Sequence, residues 1–199
     1  MPHSHQLRRG LSTILALAWL LGWSTTLRAD ESLWTALRTG NAVALIRHAL
    51  APGTGDPAGF KLEDCTTQRN LSEEGRRQAR QIGAAFRSNG ISNAQVLSSR
   101  WCRCLETARL LDLGPVEPFP PLDSFFADPG RSPAQTAALR EFLSRPYEGP
   151  PRVLVTHQVN ITSLTDVVPR SGEMVVVQPA TDGSVRVMGR LEPGRDRAD

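Results

Sequence analysis

Apolar residues along this chain fall into two kinds of run. Ala42 to Ile46 and Arg152 to Thr156 are short blocks of aliphatic and β-branched residues, the composition of strands buried on both faces of a sheet. Gln95 to Ser98 adds a third short strand. Between these blocks the spacing is helical: Ala79, Ile82 and Phe86 recur at i, i+3 and i+7 behind Ser72, an N-cap residue followed by Glu73 and Glu74 in the first turn. That helix should run to about Ser88 and stop near Asn89-Gly90. Further helices are expected over Ser32 to Arg38, from near Trp101 to just before Gly114-Pro115, and from Pro133 to Pro146 with Ala138, Leu139 and Phe142 on its inner side. Val116 to Pro121 carries three prolines and suits a short edge strand or an extended linker. Met174 to Gln178 and Ser184 to Met188 flank Thr181-Asp182-Gly183, a hairpin signal. The alternation predicts an α/β fold, a three-layer sandwich with a mostly parallel central sheet.

The first 29 residues have a different pattern. Arg8-Arg9 precede an apolar stretch from Leu11 to Trp23, and Ala29 offers a small-residue cleavage point, so residues 1–29 are expected to be a signal peptide and residues 30–199 one domain. The stretch is short for a spanning helix, and no stable membrane insertion is expected once it is cleaved. An uncleaved anchor is the alternative. Either way the domain is placed outside the cytoplasm, periplasmic or secreted. The chain's net charge of +3 lies wholly in the leader, which carries Arg8, Arg9 and Arg28 and no acid, so the rest is neutral and nothing points to nucleic acid. Three cysteines remain. Cys65 can bridge to Cys102 or to Cys104 in an oxidising compartment, whereas Cys102 and Cys104 are too close in sequence for an easy bond. No zinc-type spacing of Cys or His occurs, so no metal or other cofactor is inferred.

Two histidines stand at the ends of apolar strands. Arg47-His48 follows Val43-Ala44-Leu45-Ile46, and His157 follows Val153-Leu154-Val155-Thr156. Ligands of open α/β sheets sit outside the carboxyl ends of the strands, so both imidazoles should face one crevice. The strand ending in Ser98-Ser99 leads to Arg103 in the same layer. Two guanidinium forks, Arg47 and Arg103, suit a phosphoryl group and the charge that spreads over its oxygens during transfer. The same cations oppose imidazole protonation and keep His48 neutral and nucleophilic.

These residues resemble the histidine phosphatase superfamily, whose fold is called phosphoglycerate mutase-like. Leu45-Ile46-Arg47-His48 is close to its Arg-His-Gly signature, and Leu71-Ser72-Glu73-Glu74-Gly75 to its Leu-Thr-x-x-Gly helix start. Ser98-Ser99 with Arg103 and Thr107-Ala108, then Val155-Thr156-His157, come next in the family order. The resemblance implies a metal-independent phosphatase in which His48 is transiently phosphorylated and Arg47, Arg103 and His157 complete the phosphate pocket. Ala49 and Gln158 stand where the family has glycines. Gln158, Asn160 and Arg69 are further candidates for substrate binding.

Family members that act on alcohol phosphates supply a proton from a carboxylic acid after the second arginine segment. Asp123, between Leu122 and Ser124-Phe125-Phe126, is the candidate here, with Ser124 as the alternative occupant of that position. The function expected is hydrolysis of a phosphomonoester on a small phosphorylated substrate. The rival is a binding module that keeps the pocket without turnover.

Overall fold

The computed structural model describes residues 30–193, so the expected leader lies outside the described residues. Along the chain, helix α1 (residues 30–38) is followed by β1 (Val43–Arg47), α2 (Glu73–Ser88), β2 (Gln95–Ser98), α3 (Cys102–Leu111) and β3 (Val116–Pro118). Next come α4 (Ser132–Ser144), β4 (Arg152–Thr156), α5 (Gln158–Thr165), β5 (Met174–Pro179) and β6 (Val185–Leu191). The strands form one mixed sheet in the order β3-β2-β4-β1-β5-β6. β3, β2, β4 and β1 are mutually parallel, and β5 runs antiparallel to both β1 and β6. The proline-containing β3 lies at an edge, where a missing N–H donor is tolerated.

The period-two geometry of the central strands divides their apolar residues between two faces. Ala44, Ile46, Val96, Val153, Val155 and Val176 meet Leu37, Ile82, Phe86, Ala108 and Leu111 from α1, α2 and α3. Val43, Leu45, Leu97, Leu154, Val175 and Val177 meet Leu139, Leu143, Ile161 and Leu164 from α4 and α5. This gives the three layers expected. Burial on both faces explains why β1 and β4 read as continuous apolar runs rather than alternating ones.

The α2 start shows why serine and glycine stand three residues apart. Ser72 Oγ accepts from the Gly75 N–H at 3.1 Å, and the Ser72 N–H donates to the Leu50 carbonyl at 3.1 Å. A Cβ on Gly75 would lie 2.1 Å from that same carbonyl oxygen. The glycine lets α2 rest directly on the segment that leaves β1, which fixes the backbone just beyond Arg47 and His48. One element was not expected: α5 begins immediately after His157.

Candidate active site

The parallel register aligns three strand ends. Arg47 pairs with Thr156, and Ser98 with Val155, so the residues next in line share one rim of the sheet. The ladder continues through them, with the His48 N–H donating to the Thr156 carbonyl and the Ser99 N–H to the Val155 carbonyl, both at 2.9 Å. His48 and His157 therefore face each other, ring centroids 5.6 Å apart. Both are buried.

His48 Nδ1 lies 2.8 Å from the Ala49 carbonyl oxygen. A carbonyl only accepts, so Nδ1 carries the proton and Nε2 keeps its lone pair free. Burial, then the charge of Arg103, pushes the imidazole down to about 3, so it is neutral at ordinary pH. The Ala49 N–H in turn donates to Thr107 Oγ1 at 3.0 Å, and Thr107 Oγ1 donates to the Arg103 carbonyl at 2.7 Å. The backbone at the Gly-to-Ala position thus ties the residue after His48 to α3.

Around His48 lies a cavity of about 380 Å³, lined among others by Arg47, Arg69, Arg103, His157, Gln158 and Ser124. That size is ordinary for a small-ligand site. Arg47 Nη1 donates to the Pro169 carbonyl at 3.0 Å, and Arg69 Nε to the Gly55 carbonyl at 2.7 Å. Burial and the repulsion of Arg103 lower the basicity of both. Arg47 Nε and Arg103 Nε are buried donors without a partner, a condition costing about 1–3 kcal/mol each. An oxyanion is the ligand that satisfies such a set. A larger cavity of about 630 Å³ shares Arg47 but has no histidine or cysteine in its lining, so it is not where this chemistry lies.

Asp56, from the segment between β1 and α2, was missed by the sequence reading. Its carboxylate sits on the fork of Arg103, Oδ1 2.7 Å from Nη1 and Oδ2 3.2 Å from Nη2, and it also accepts from Trp101 Nε1 at 3.0 Å. Burial opposes its ionisation, but the bonds and charge of Arg103 outweigh that and hold the carboxyl below its ordinary range. Arg103 has five N–H donors. Nη1 also faces the Arg69 carbonyl and Nη2 faces His157 Nδ1, each at 3.4 Å, which leaves only Nε uncommitted.

His157 is held from both sides. Because Arg103 only donates, His157 Nδ1 is the acceptor, and Nε2–H donates to Ser99 Oγ at 2.8 Å. Ser99 Oγ donates to Asp123 Oδ1 at 3.4 Å. His157 lines the cavity, yet both ring nitrogens are committed, so in this arrangement it orients Arg103 rather than presenting an N–H of its own.

Two expectations require correction. Asp123 is wholly buried and outside the cavity lining, and its carboxylate receives Arg100 Nε at 2.8 Å, Arg100 Nη2 at 2.5 Å and the Arg100 N–H at 2.9 Å. Outside the cavity and held by Arg100, Asp123 is a structural anchor that does not reach the space beside His48; Ser124 takes the place in the lining. Asn160 is also outside the lining. Its Nδ2 donates to the Asp123 carbonyl at 2.8 Å, so it buttresses that anchor. Arg69 and Gln158 line the cavity. Of the two bridges the sequence allows, Cys65–Cys102 is the one present, and Cys104 is free and buried.

A protein-family model matches residues 43–123, the stretch from β1 to Asp123. It is the histidine phosphatase superfamily (branch 1). The match includes Arg47, His48, Asp56, Arg69 and Arg103, and His157 lies beyond it. The fold of the chain recurs in solved structures. The protein histidine phosphatase SixA complexed with tungstate is 19% identical, with a TM-score of 0.56 over 76% of this chain and 97% of its own. The product of the open reading frame Rv3214 from Mycobacterium tuberculosis is 15% identical, with a TM-score of 0.56 over 78% of this chain and 99% of its own. A phosphoglycerate mutase from Plasmodium falciparum is 14% identical, with a TM-score of 0.50 over 79% and 94%. At these identities the likeness is one of fold. No curated protein matches the chain by sequence.

Proposed function

We propose that the protein is an exported, metal-independent phosphohydrolase that cleaves a phosphomonoester through a phosphohistidine on His48. The observation that carries this reading is the pinning of His48 Nδ1 by the Ala49 carbonyl, which leaves a neutral Nε2 free in a cavity bearing Arg47 and Arg69. In the free protein Asp56 neutralises Arg103, and Arg47 and Arg69 remain to attract a phosphate dianion. Tungstate, which SixA holds, is an oxyanion of the same shape and charge. Nε2 attacks phosphorus in line while the guanidinium groups take up the charge on the equatorial oxygens, and water then releases phosphate from His48.

The Cys65–Cys102 bridge supports a site of action outside the cytoplasm, because such bonds persist in oxidising compartments. N-terminal sequencing of the exported form is expected to begin at Asp30.

The test is release of phosphate from an aryl phosphate by the protein, and its loss by a factor of ~10³ or more in His48→Ala. Quenched reactions should carry acid-labile phosphate on His48. Label on another residue would overturn the mechanism, and absence of turnover across a broad phosphate panel would favour the binding module.

A further inference from the structure

Among the described residues, Asp56 is the one carboxyl-bearing residue in the lining of the histidine cavity. It is placed where a phosphoryl group would be expected. A carboxylate and a phosphate present the same pair of oxygens to a guanidinium fork, and Asp56 holds that fork on Arg103 with both oxygens. The pair is almost wholly removed from solvent, with 3% of the Arg103 side chain and 9% of the Asp56 side chain exposed. Yet Arg103 Nε, buried beside it, has no partner. The guanidinium is therefore incompletely satisfied by Asp56.

We propose that Asp56 is the proton donor of this site: the phosphoryl group of the substrate takes over the fork of Arg103, and the carboxyl group released from it protonates the leaving oxygen. The inference rests on the phosphatase reading above.

The exchange is built into the surroundings. Asp56 lies between Gly53, Gly55 and Gly59, whose φ values of 91°, 70° and 76° lie in the left-handed region that glycine adopts freely. After leaving Arg103 the carboxyl group keeps its bonds from the Arg69 N–H, at 3.2 Å, and from Trp101 Nε1. It stays in the cavity beside His48. The charged groups facing it are Arg103 from α3 and Arg69 from the segment before α2, with Arg47 and His48 at the end of β1 and His157 at the end of β4 lining the same cavity. While Asp56 holds Arg103, the guanidinium keeps the carboxyl ionised. Once a phosphate dianion holds Arg103, burial and the new anion both favour the protonated form.

The proton arrives with the substrate, since a phosphomonoester monoanion carries one with a pKa of about 6. It passes to Asp56 as the phosphoryl oxygens engage Arg103. His48 Nε2 forms the N–P bond, the P–O ester bond breaks with its electron pair on oxygen, and that oxygen takes the proton from Asp56. In the second half water forms the O–P bond as the N–P bond breaks, the proton it sheds goes to a phosphoryl oxygen, and the Asp56 carboxylate returns to Arg103. His48 is returned neutral, and inorganic phosphate leaves.

The experiment compares an alkyl phosphate with 4-nitrophenyl phosphate, whose leaving group needs no proton. General acid catalysis contributes roughly 10²- to 10⁴-fold, so Asp56→Asn is expected to lower alkyl turnover by about 100-fold or more and aryl turnover by less than about tenfold. Inorganic phosphate should inhibit the variant at a concentration about tenfold lower or less, because the amide competes poorly for Arg103. Equal losses on both substrates, or weaker inhibition by phosphate, would overturn the proposal. A second measurement needs no variant: wild-type rates should depend only shallowly on leaving-group pKa, and a steep dependence would likewise overturn it. Wild-type protein that turns over neither substrate refutes the phosphatase reading itself. Wild-type activity that disappears in His48→Ala, with uniform losses in Asp56→Asn, refutes the proton-donor assignment alone.

Discussion

Ser99 Oγ accepts the Nε2 proton of His157 at 2.8 Å, and through this bond the end of β2 fixes the ring at the end of β4. The consequence reaches Arg103, whose Nη2 faces the other ring nitrogen at 3.4 Å. Ser99→Ala leaves that buried N–H with only the weakly accepting Cys104 sulfur, 3.4 Å from Nε2, and loosens the ring. The expected outcome is a loss of about 1–3 kcal/mol in urea unfolding, with kcat on an aryl phosphate lowered about tenfold and KM changed far less. Unchanged kcat would show that the orientation of His157 is immaterial.

Much of this arrangement was legible in the residues because it depends on local pattern. The apolar runs ending in His48 and His157 announce strands, and parallel pairing then makes neighbours of their ends. Strand β1 is shifted by one residue from the expected Ala42 to Ile46, a boundary that hydrophobicity alone does not mark. Helix α5 was not legible: half of Gln158–Thr165 is β-branched and its buried set includes the polar Asn160, so no apolar stripe shows. Asp56 was hidden for another reason. In a Gly- and Pro-containing segment an aspartate reads as turn punctuation, and its contact with Arg103 spans 47 residues. Asp123 has the place in sequence expected of the acid, but Arg100, 23 residues away, claims its carboxylate, a contact the sequence does not announce.

Gly75 sets two effects of opposite sign against each other. Alanine raises helix propensity by about 1 kcal/mol relative to glycine, but here its Cβ would lie 2.1 Å from the Leu50 carbonyl oxygen, a backbone atom. Overpacking of this kind costs about 1–3 kcal/mol, and backbone yields less readily than a side-chain tip, so the clash wins. Gly75→Ala is expected to lower the urea midpoint without changing the m-value. A stabilised variant would mean that α2 does not rest on Leu50.

The buried histidines predict how stability varies with pH. Burial, then Arg103, pushes His48 down to about 3 and holds His157 well below the ordinary range. Unfolded, both titrate near about 6.5. Below that pH the unfolded chain binds protons that the folded chain refuses, so the stability fully present above 6.5 declines as pH falls toward about 3. The slope approaches about 1.4 kcal/mol per pH unit for each histidine. Urea unfolding between pH 7 and pH 4 should show the decline, and His48→Gln should remove about half of it. A flat profile would contradict burial of two neutral imidazoles.

The Cys65–Cys102 bond joins residues 37 apart and fastens the segment before α2 to the first turn of α3. Gln68 reinforces the join: its Oε1 accepts from the Cys102 N–H at 3.0 Å, while its Nε2 donates to the Lys61 and Leu62 carbonyls. Arg69 and Arg103 stand one residue beyond these anchors, so the bridge holds together the two sides of the cavity. Its loss in Cys65→Ser is expected to cost about 2–4 kcal/mol and to raise KM for an aryl phosphate more than it lowers kcat. Cys104 is the internal control. Burial pushes its thiol up to about 12, so it should resist alkylation in the folded protein and react only after denaturation. Denatured without reductant, the protein should therefore show one reactive thiol, and with reductant three. Three thiols without reductant, in protein recovered from an oxidising compartment, would remove both the bridge and the support it lends to export.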